Sequence, residues 1–131
     1  MRLRRRRRSV VRRMSRLLPR FRVMSGATIV LGPGKADLLE AIAERGTLRA
    51  AARALGMSYM RAWKLVGVMN AAFREPLVVV HRGGASRGRS ELTRTGRRAL
   101  ALYRALEADA LRASRKRWDA LRKLLRTSVS S

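Results

Sequence analysis

The amino-acid sequence predicts a mainly α-helical fold with a small β-sheet element, and three features of its 131 residues point to it. Apolar residues recur at helical spacing over residues 35–45, 47–55, 59–73 and 96–126. A run of β-branched residues follows the third of these segments, and a glycine-rich basic loop leads from it to a second short strand. The chain has no Cys, so disulfides and thiolate metal sites are excluded.

Residues 46–70 are the most informative segment. A short helix capped by Thr47 leads to a turn at Gly56-Met57, and a second helix is capped by Ser58. Two helices joined by a short turn that contains Gly form a helix-turn-helix, whose second helix enters the DNA major groove. Spacing alone also fits a helical hairpin of any bundle.

The flanking pattern supplies the rest of a small core. Residues 21–31 predict either a hairpin or one short strand, followed by a turn at Gly32-Pro33-Gly34 and a helix from Lys35 to Arg45. We expect these side chains of the three helices to point inward: Leu38, Leu39, Ile42, Leu48, Ala51, Ala52, Leu55, Ala62, Leu65, Val66, Met69 and Phe73. Trp63 flanks this face and is predicted to belong to the core rather than to stack on a ligand.

The segment after Pro76 predicts a β-wing. Residues 77–80 form an apolar strand, a glycine-rich basic loop follows, and Ser90-Glu91-Leu92 is the returning strand. Placed directly after the second helix of the motif, this hairpin predicts a winged helix-turn-helix, in which arginines of the loop reach phosphates or the minor groove. An ordinary flexible hairpin loop is the alternative.

A long C-terminal helix is predicted from Gly96 to about Arg126, after a cap at Thr93. Whether it is one helix or two with a break near Ser114 is open. Its apolar stripe is too long for one small core to cover, which favours a dimerisation helix. The expected organisation is an Arg-rich disordered leader at 1–17, a DNA-binding domain at 18–92, a dimerisation helix at 93–126 and a tail at 127–131.

The charge indicates a polyanionic partner. Lys and Arg total 32 against 8 acidic residues, a formal net charge of +24. Residues 1–22 hold 11 Arg, and the remainder, with 21 basic and 8 acidic residues, still carries +13. Such a field favours phosphate backbones through counterion release. The leader is either disordered or an artefact of a mis-called start, since Met14 and Met24 are both plausible first residues.

Several motifs resemble the N-terminal domain of molybdate-responsive ModE-type regulators, a branch of the LysR-like winged helices. The resemblance covers residues 18–107. It is carried by Leu31-Gly-Pro-Gly-Lys-Ala-Asp-Leu-Leu-Glu-Ala-Ile, by Ala-Ala-Ala-Arg-Ala-Leu-Gly-Met-Ser-Tyr, by Arg61-Ala-Trp-Lys-Leu-Val, by Met69-Asn70, by Glu75-Pro76-Leu77-Val78, by Arg82-Gly83-Gly84 and by Leu92-Thr93 with Gly96. It implies DNA binding and dimerisation through helices that flank the DNA-binding core.

The sequence departs from that family in two ways. Family members that sense molybdate do so on C-terminal oxyanion-binding domains, which we expect this chain to lack, so no cofactor and no molybdate binding are predicted. The family's recognition helix usually begins Ser-Tyr-Arg-Arg, and Met60 replaces the first Arg here. Because Arg to guanine is the commonest specific contact, we expect a changed or relaxed operator.

The candidate DNA-binding residues lie on the motif and the wing. Base or phosphate contacts are predicted for Tyr59, Met60 and Arg61, and a phosphate contact for Lys64. The remaining candidates are backbone contacts: Thr47, Arg49, Ser58, Arg82, Arg87 and Arg89. No catalytic or metal-binding residues are predicted, because the sole histidine, His81, has no Cys or acid pair beside it.

The predicted function is a sequence-specific, dimeric transcription regulator on double-stranded DNA, without enzymatic activity, in the cytoplasm and associated with the nucleoid. A separate sensor protein is a possible further partner, and no membrane contact is expected. Two alternatives stay open. One is a nonspecific architectural protein that coats DNA, and the other is a membrane-surface or partner-binding helix built from the C-terminal stripe.

Overall fold

The computed structural model describes residues 15–86 and 88–126, with the backbone alone at Ser86. The elements in chain order are β1 Val23–Ser25, β2 Thr28–Leu31, α1 Pro33–Arg45, α2 Leu48–Ala54, α3 Tyr59–Ala72, β3 Val78–Val80, a 3-10 turn Gly84–Ser86, β4 Ser90–Leu92 and α4 Arg94–Arg122. The described residues divide into two units, one of residues 20–106 and the other of residues 15–19 and 107–126. The predicted leader and tail lie almost entirely outside the described residues.

The first unit opens with a hairpin, which decides between the two predictions for residues 21–31. Strands β1 and β2 are antiparallel, with Val23 opposite Leu31 and Ser25 opposite Thr28. The turn between them contains Gly26 at φ +59°, a left-handed conformation that glycine adopts without strain. This hairpin leads the chain directly into the first core helix.

Helix α1 begins earlier than predicted. The turn expected at Gly32-Pro33-Gly34 is wrong, because Pro33 already lies in the first turn of the helix. Proline lacks the N–H that would be unpaired there and its fixed φ suits a helix start, so the same residues fit a turn or a helix. The predicted end is confirmed: Gly46 has φ +78°, and its N–H donates to the carbonyl of Ile42.

The core is built mainly from α1, α2 and α3. Most predicted inward residues are buried, namely Leu38, Leu39, Ile42, Leu48, Ala51, Ala52, Ala62, Val66 and Met69. Leu55 is a wrong prediction: it is the C-cap of α2 and is 38% exposed. Leu65 and Phe73 are only half-buried, since they lie at the edge of the packed face and Phe73 follows the last turn of α3.

The predicted wing sheet is present, with β3 and β4 antiparallel and Val78 opposite Leu92. Leu77 precedes β3 rather than beginning it, yet it is fully buried. Helix α4 starts on this sheet, with Thr93 Oγ1 accepting from the Gly96 N–H at 2.9 Å. The expected cap at Thr93 is thus confirmed.

Helix α4 is continuous from Arg94 to Arg122, so no break occurs near Ser114, and it ends before the predicted Arg126. In the unit Arg20–Leu106 its Tyr103 is buried, and the Tyr103 hydroxyl donates to the carbonyl of Phe21 at 2.9 Å. In the other unit, none of the described residues 107–126 is fully buried.

Candidate nucleic-acid interface

The two predicted caps fix the starts of α2 and α3. Thr47 Oγ1 accepts from the Ala50 N–H at 3.0 Å, and Ser58 Oγ accepts from the Arg61 N–H at 3.1 Å. Each hydroxyl keeps its own proton, because capping uses only its acceptor lone pairs. Both caps can therefore still donate to a phosphate oxygen.

The turn between the helices is closed by backbone hydrogen bonds. The Met57 N–H donates to the Ala52 carbonyl at 3.0 Å, and the Gly56 N–H donates to the Arg53 carbonyl at 3.1 Å. Gly56 has φ +67°, so the predicted glycine turn is confirmed. This closure sets the direction of α3 relative to α2.

A series of cation and ring contacts joins α2, α3 and the wing. The Arg49 guanidinium carbon lies 5.1 Å from the centre of the Tyr59 ring. The Tyr59 and Trp63 rings are stacked at 6.4 Å and 23°. The Arg82 guanidinium carbon lies 4.8 Å from the centre of the Trp63 ring. We call Arg49, Tyr59, Trp63 and Arg82 the cation–aromatic ladder.

The ladder changes the expected role of Trp63. The side chain is half-buried and packs against the core, as predicted, but its ring also stacks with Tyr59 and lies beneath Arg82. Sequence reasoning missed this second role because Arg82 is 19 positions away in the chain. A Trp four residues after a Tyr on one helix is the signal that could have found the stacked pair.

The outward face of α3 is short of hydrogen-bonding groups. Met60, Lys64, Gly67 and Ala71 recur at helical spacing on the side opposite the buried residues, and all four are exposed. Met60 has 59% of its surface exposed. Lys64 is the one charged side chain among these four, so the face presents little polar chemistry to a groove.

Arg61 flanks that face and lies near the start of α1. Burial lowers the pKa of Lys35, and the positive charge of Arg61 lowers it further. Lys35 is half-buried, and Arg61 is exposed. The positive charge of Arg61 thus disfavours the charged form of Lys35, and an anion bound beside both groups would offset this repulsion.

A cleft of about 480 Å³ separates the first turns of α3 from the wing. It is lined by Tyr59, Met60, Trp63, Val80, His81, Arg82 and Gly88. Rings and aliphatic side chains form most of the wall, and Arg82 supplies the fixed positive charge. Such a wall suits a sugar-phosphate backbone, whose deoxyribose is apolar and whose phosphate is anionic.

The base of the wing is tied to the start of the helix-turn-helix. Ser90, which is buried, accepts from the Leu48 N–H through its hydroxyl at 3.1 Å, and its own N–H donates to the Gly46 carbonyl at 2.8 Å. Beside these bonds, the main chains of Arg89 and Thr47 form an isolated antiparallel β-bridge. The β-bridge brings together two residues that were both predicted to contact the DNA backbone. Arg87 lies outside the described residues.

The exposed side of the wing carries a short ionic cluster. His81 Nε2 donates to Glu91 Oε1 at 3.2 Å, and Arg89 Nη2 lies 3.8 Å from Glu91 Oε2. The hydrogen bond from His81 is the main cause that lowers the pKa of the Glu91 carboxyl, and the charge of Arg89 adds to it. Glu91 thus contacts the side chains of two wing residues, His81 and Arg89.

Asn70, near the end of α3, is a structural residue that sequence reasoning did not assign. Its side-chain oxygen accepts from the Leu77 and Val78 N–H groups at 2.8 and 3.1 Å, and its amide donates to the Val78 carbonyl at 3.0 Å. An amide that pairs with an incoming strand in this way fixes where the wing leaves the recognition helix. An Asn on the flank of an apolar helix face was the available signal.

Within residues 15–86 and 88–126, no three His, Asp or Glu side chains are grouped in a way that could hold a metal ion. Over the same part of the chain, every helix is too short or too polar to cross a membrane.

Comparisons with known proteins agree with this architecture. Residues 35–97 match the bacterial regulatory helix-turn-helix protein family of the lysR type, a span that runs from α1 to the first turn of α4. The molybdenum transport protein ModE of Azotobacter vinelandii is 39% identical over 95 residues, which is 72% of this chain and 35% of that protein.

Two further relatives are similar over shorter segments. The molybdenum-pterin-binding protein MopA of Rhodobacter capsulatus is 40% identical over 83 residues, 63% of this chain and 31% of its own length. The DNA-binding transcriptional dual regulator ModE of Escherichia coli K12 is 37% identical over 71 residues, 54% of this chain and 27% of its own length. The chain spans about a third of the length of the curated relatives it matches. At residues 35–97 the chain therefore carries a winged helix-turn-helix domain of the bacterial regulatory lysR family, homologous to the corresponding part of the ModE-type regulators.

Proposed function

We propose that this chain is a sequence-specific DNA-binding transcription regulator. Helix α3 lies in the major groove, while the start of α2 and the wing at residues 82–90 contact the phosphate backbone. The observation that carries the proposal is the cation–aromatic ladder, because it joins α2, α3 and the wing into one basic surface. No cofactor is part of the proposal, since every contact it uses is made by protein groups with bases and phosphates.

Backbone contacts follow from the groups that the surface presents. The hydroxyls of Thr47 and Ser58 and the guanidinium groups of Arg82 and Arg89 are donors at the ends of α2, α3 and the wing. Arg49 is held over a ring, which reduces the side-chain entropy that it loses on meeting a phosphate. Phosphate contacts of this kind position a recognition helix and leave the base edges to its exposed side chains.

Dimer formation on α4 is part of the proposal. On the part of α4 in the second unit, Leu111 and Leu121 are 41% and 53% exposed, and Leu124 and Leu125, just after the helix, are 81% and 44% exposed. Exposed apolar side chains are costly in water, and a second copy of the same helix would cover those of α4. Two copies would present two recognition helices to a site with two-fold symmetry.

A nonspecific architectural DNA-binding protein is the second candidate, and one observation favours it. The outward face of α3 carries a single charged residue, Lys64, among Met60, Gly67 and Ala71. A face with so few donors and acceptors reads less of the major-groove pattern than a face that carries Arg, Asn or Gln. With a formal net charge of +24, the chain would still bind any duplex strongly at low salt.

A competition assay on the full chain separates the two candidates. Genomic fragments are bound at about 150 mM salt, where phosphate binding alone is weakened, and are then challenged with excess random-sequence DNA. A regulator retains a common site with two-fold symmetry under this challenge. Loss of all fragments at the same competitor concentration would contradict sequence-specific regulation and support the architectural candidate.

A further inference from the structure

Met60 is placed where a recognition helix meets base edges, yet it has no role inside the protein fold. It lies in the first turn of α3, on the face opposite the buried Val66 and Met69, with 59% of its surface exposed. Of the described residues with large apolar side chains, only Leu124 is more exposed. In the free chain this apolar surface is in unfavourable contact with water. A ligand that covers Met60 would gain the free energy of burying that surface.

Other large apolar side chains near Met60 in the chain are exposed as well. Leu55, at the end of α2, is 38% exposed, and Tyr59, beside Met60, is 39% exposed. Met60 and Tyr59 also line the cleft toward the wing, together with Trp63 and Arg82. The tip of the helix-turn-helix therefore exposes apolar side chains within a basic surface.

The chemistry of the side chain narrows its partner in the groove. A thioether donates no hydrogen bond and accepts only weakly, so it satisfies neither the acceptors of guanine nor the amino donor of cytosine. Covering those polar edges without a partner costs binding energy. Thymine alone presents a methyl group in the major groove, and flexible apolar side chains such as Met pack well against it.

We propose that Met60 reads the 5-methyl group of a thymine in the major groove and makes an A·T pair the preferred pair at that position. This inference rests on the proposed function, because it takes α3 as the recognition helix. Met60 would then favour an A·T pair at this position, rather than only removing a preference for guanine.

The first experiment selects binding sites from a random duplex library with the full chain and with Met60→Arg, at about 150 mM salt. The wild-type chain should return thymine at one position of each half-site, and Met60→Arg should return guanine there, since Arg pairs with the two acceptors of guanine. A common site in which this position is unchanged between the two proteins would overturn the proposal.

The second experiment removes only the methyl group. Deoxyuridine replaces the selected thymine, and binding of the two duplexes is compared for the wild type, for Met60→Ala and for Met24→Ala. Met24 is a matched control, because it is 51% exposed and lies on β1. Loss of one buried methyl contact should weaken wild-type binding about fourfold.

The variants then decide whether Met60 is responsible. Met60→Ala should bind the thymine and deoxyuridine duplexes equally, and Met24→Ala should keep the wild-type difference. Equal wild-type binding to both duplexes, or a fourfold difference that persists in Met60→Ala, would overturn the role of Met60 while leaving the proposed function intact. A library that returns no common site would contradict the proposed function and, with it, this inference.

Discussion

Helix α3 and the distal part of α4, residues 107–122, carry similar side chains in different settings. Both present exposed Arg, Lys and large apolar residues. Helix α3 buries Ala62, Val66 and Met69 against the core, and its first turn is capped and contacted by rings and guanidinium groups. In the distal part of α4 none of the described residues is buried, and recorded ion pairs join residues of the same helix, as between Asp109 and Arg112.

The distal part of α4 carries charge without a fixed setting, whereas α3 carries less charge on a helix that is already held in place. Residues 107–126 hold seven basic and three acidic side chains, enough to attract a polyanion without any core beneath them. On α3 the positive groups are fewer, but caps and packing hold the helix in one geometry before DNA arrives. Fixed geometry is what lets contacts discriminate between sequences, whereas exposed surface charge contributes binding without discrimination.

The largest expected effect comes from detaching the start of α4 from the wing sheet. A Cβ at Gly96 would lie 2.0 Å from the carbonyl oxygen of Leu77, so Gly96→Ala forces the helix and the strand apart. We expect a loss of about 3 kcal/mol in the free energy of unfolding, measured by urea denaturation. Gly67→Ala is the matched control, since nothing lies within 4 Å of its Cβ position.

Gly67→Ala should stabilise the fold by about 0.5–1 kcal/mol, because alanine loses less backbone entropy in a helix. Equal unfolding free energies for the two variants would contradict the close contact of Gly96 with the strand. In DNA binding, Gly67→Ala also measures how closely the outward face of α3 approaches the groove.

The second prediction removes the same charge from the two regions. Arg61→Gln with Lys64→Gln should lower affinity for the selected site by about tenfold to a hundredfold, and affinity for random DNA much less. Arg115→Gln with Lys116→Gln should lower affinity for every sequence alike. Fluorescence anisotropy measures the affinity of each variant for the selected site and for random DNA. If both variants lost the preference for the selected site equally, the two regions would not differ in sequence recognition.

A smaller effect tests the ladder. Arg82→Lys keeps the charge but loses the planar group that lies over Trp63, and such a contact contributes about 0.5–1 kcal/mol. Affinity for the selected site should fall about threefold. Arg89→Lys is the control, because Arg89 lies over no aromatic ring of the described residues. If Arg89→Lys weakened binding more than Arg82→Lys, the contact between Arg82 and Trp63 would not be what positions the wing for DNA binding.

The smallest effect concerns pH. The hydrogen bond from His81 places the folded-state pKa of Glu91 below its ordinary value of 4.5. Glu91 therefore contributes stability that is present above that value and is lost as the pH falls through its lowered pKa. The free energy of unfolding, measured by urea denaturation, should therefore decrease less in Glu91→Gln than in the wild type as the pH falls below 4.5. Glu44→Gln, which removes an exposed carboxylate far from His81 in sequence, should leave the fall as in the wild type.

Local chemistry allowed much of this fold to be predicted. The caps at Thr47, Ser58 and Thr93 and the glycine turn at Gly56 depend on neighbouring residues, and all four are confirmed. The start of α1 was misplaced because Pro33 suits both a turn and a first helical turn.

Contacts between distant residues could not be predicted. Ser90 and Leu48 are 42 positions apart, and Arg82 meets Trp63 across the cleft, so no local pattern encodes either contact. The roles of Asn70 and Gly96 beside Leu77 also depend on where the wing strand lies, so the sequence alone did not assign them. The assignment of individual residues to DNA contact stays a prediction.

We infer that DNA is read by the ordered surface of α2, α3 and the wing rather than by the distal charge of α4. Hydrogen exchange of the full chain, with and without the selected DNA site, tests this claim directly. We expect slowed exchange at residues 47–64 and 82–90 in the specific complex, and exchange at residues 107–122 that is the same with specific and random DNA. Protection confined to residues 107–122 would contradict it.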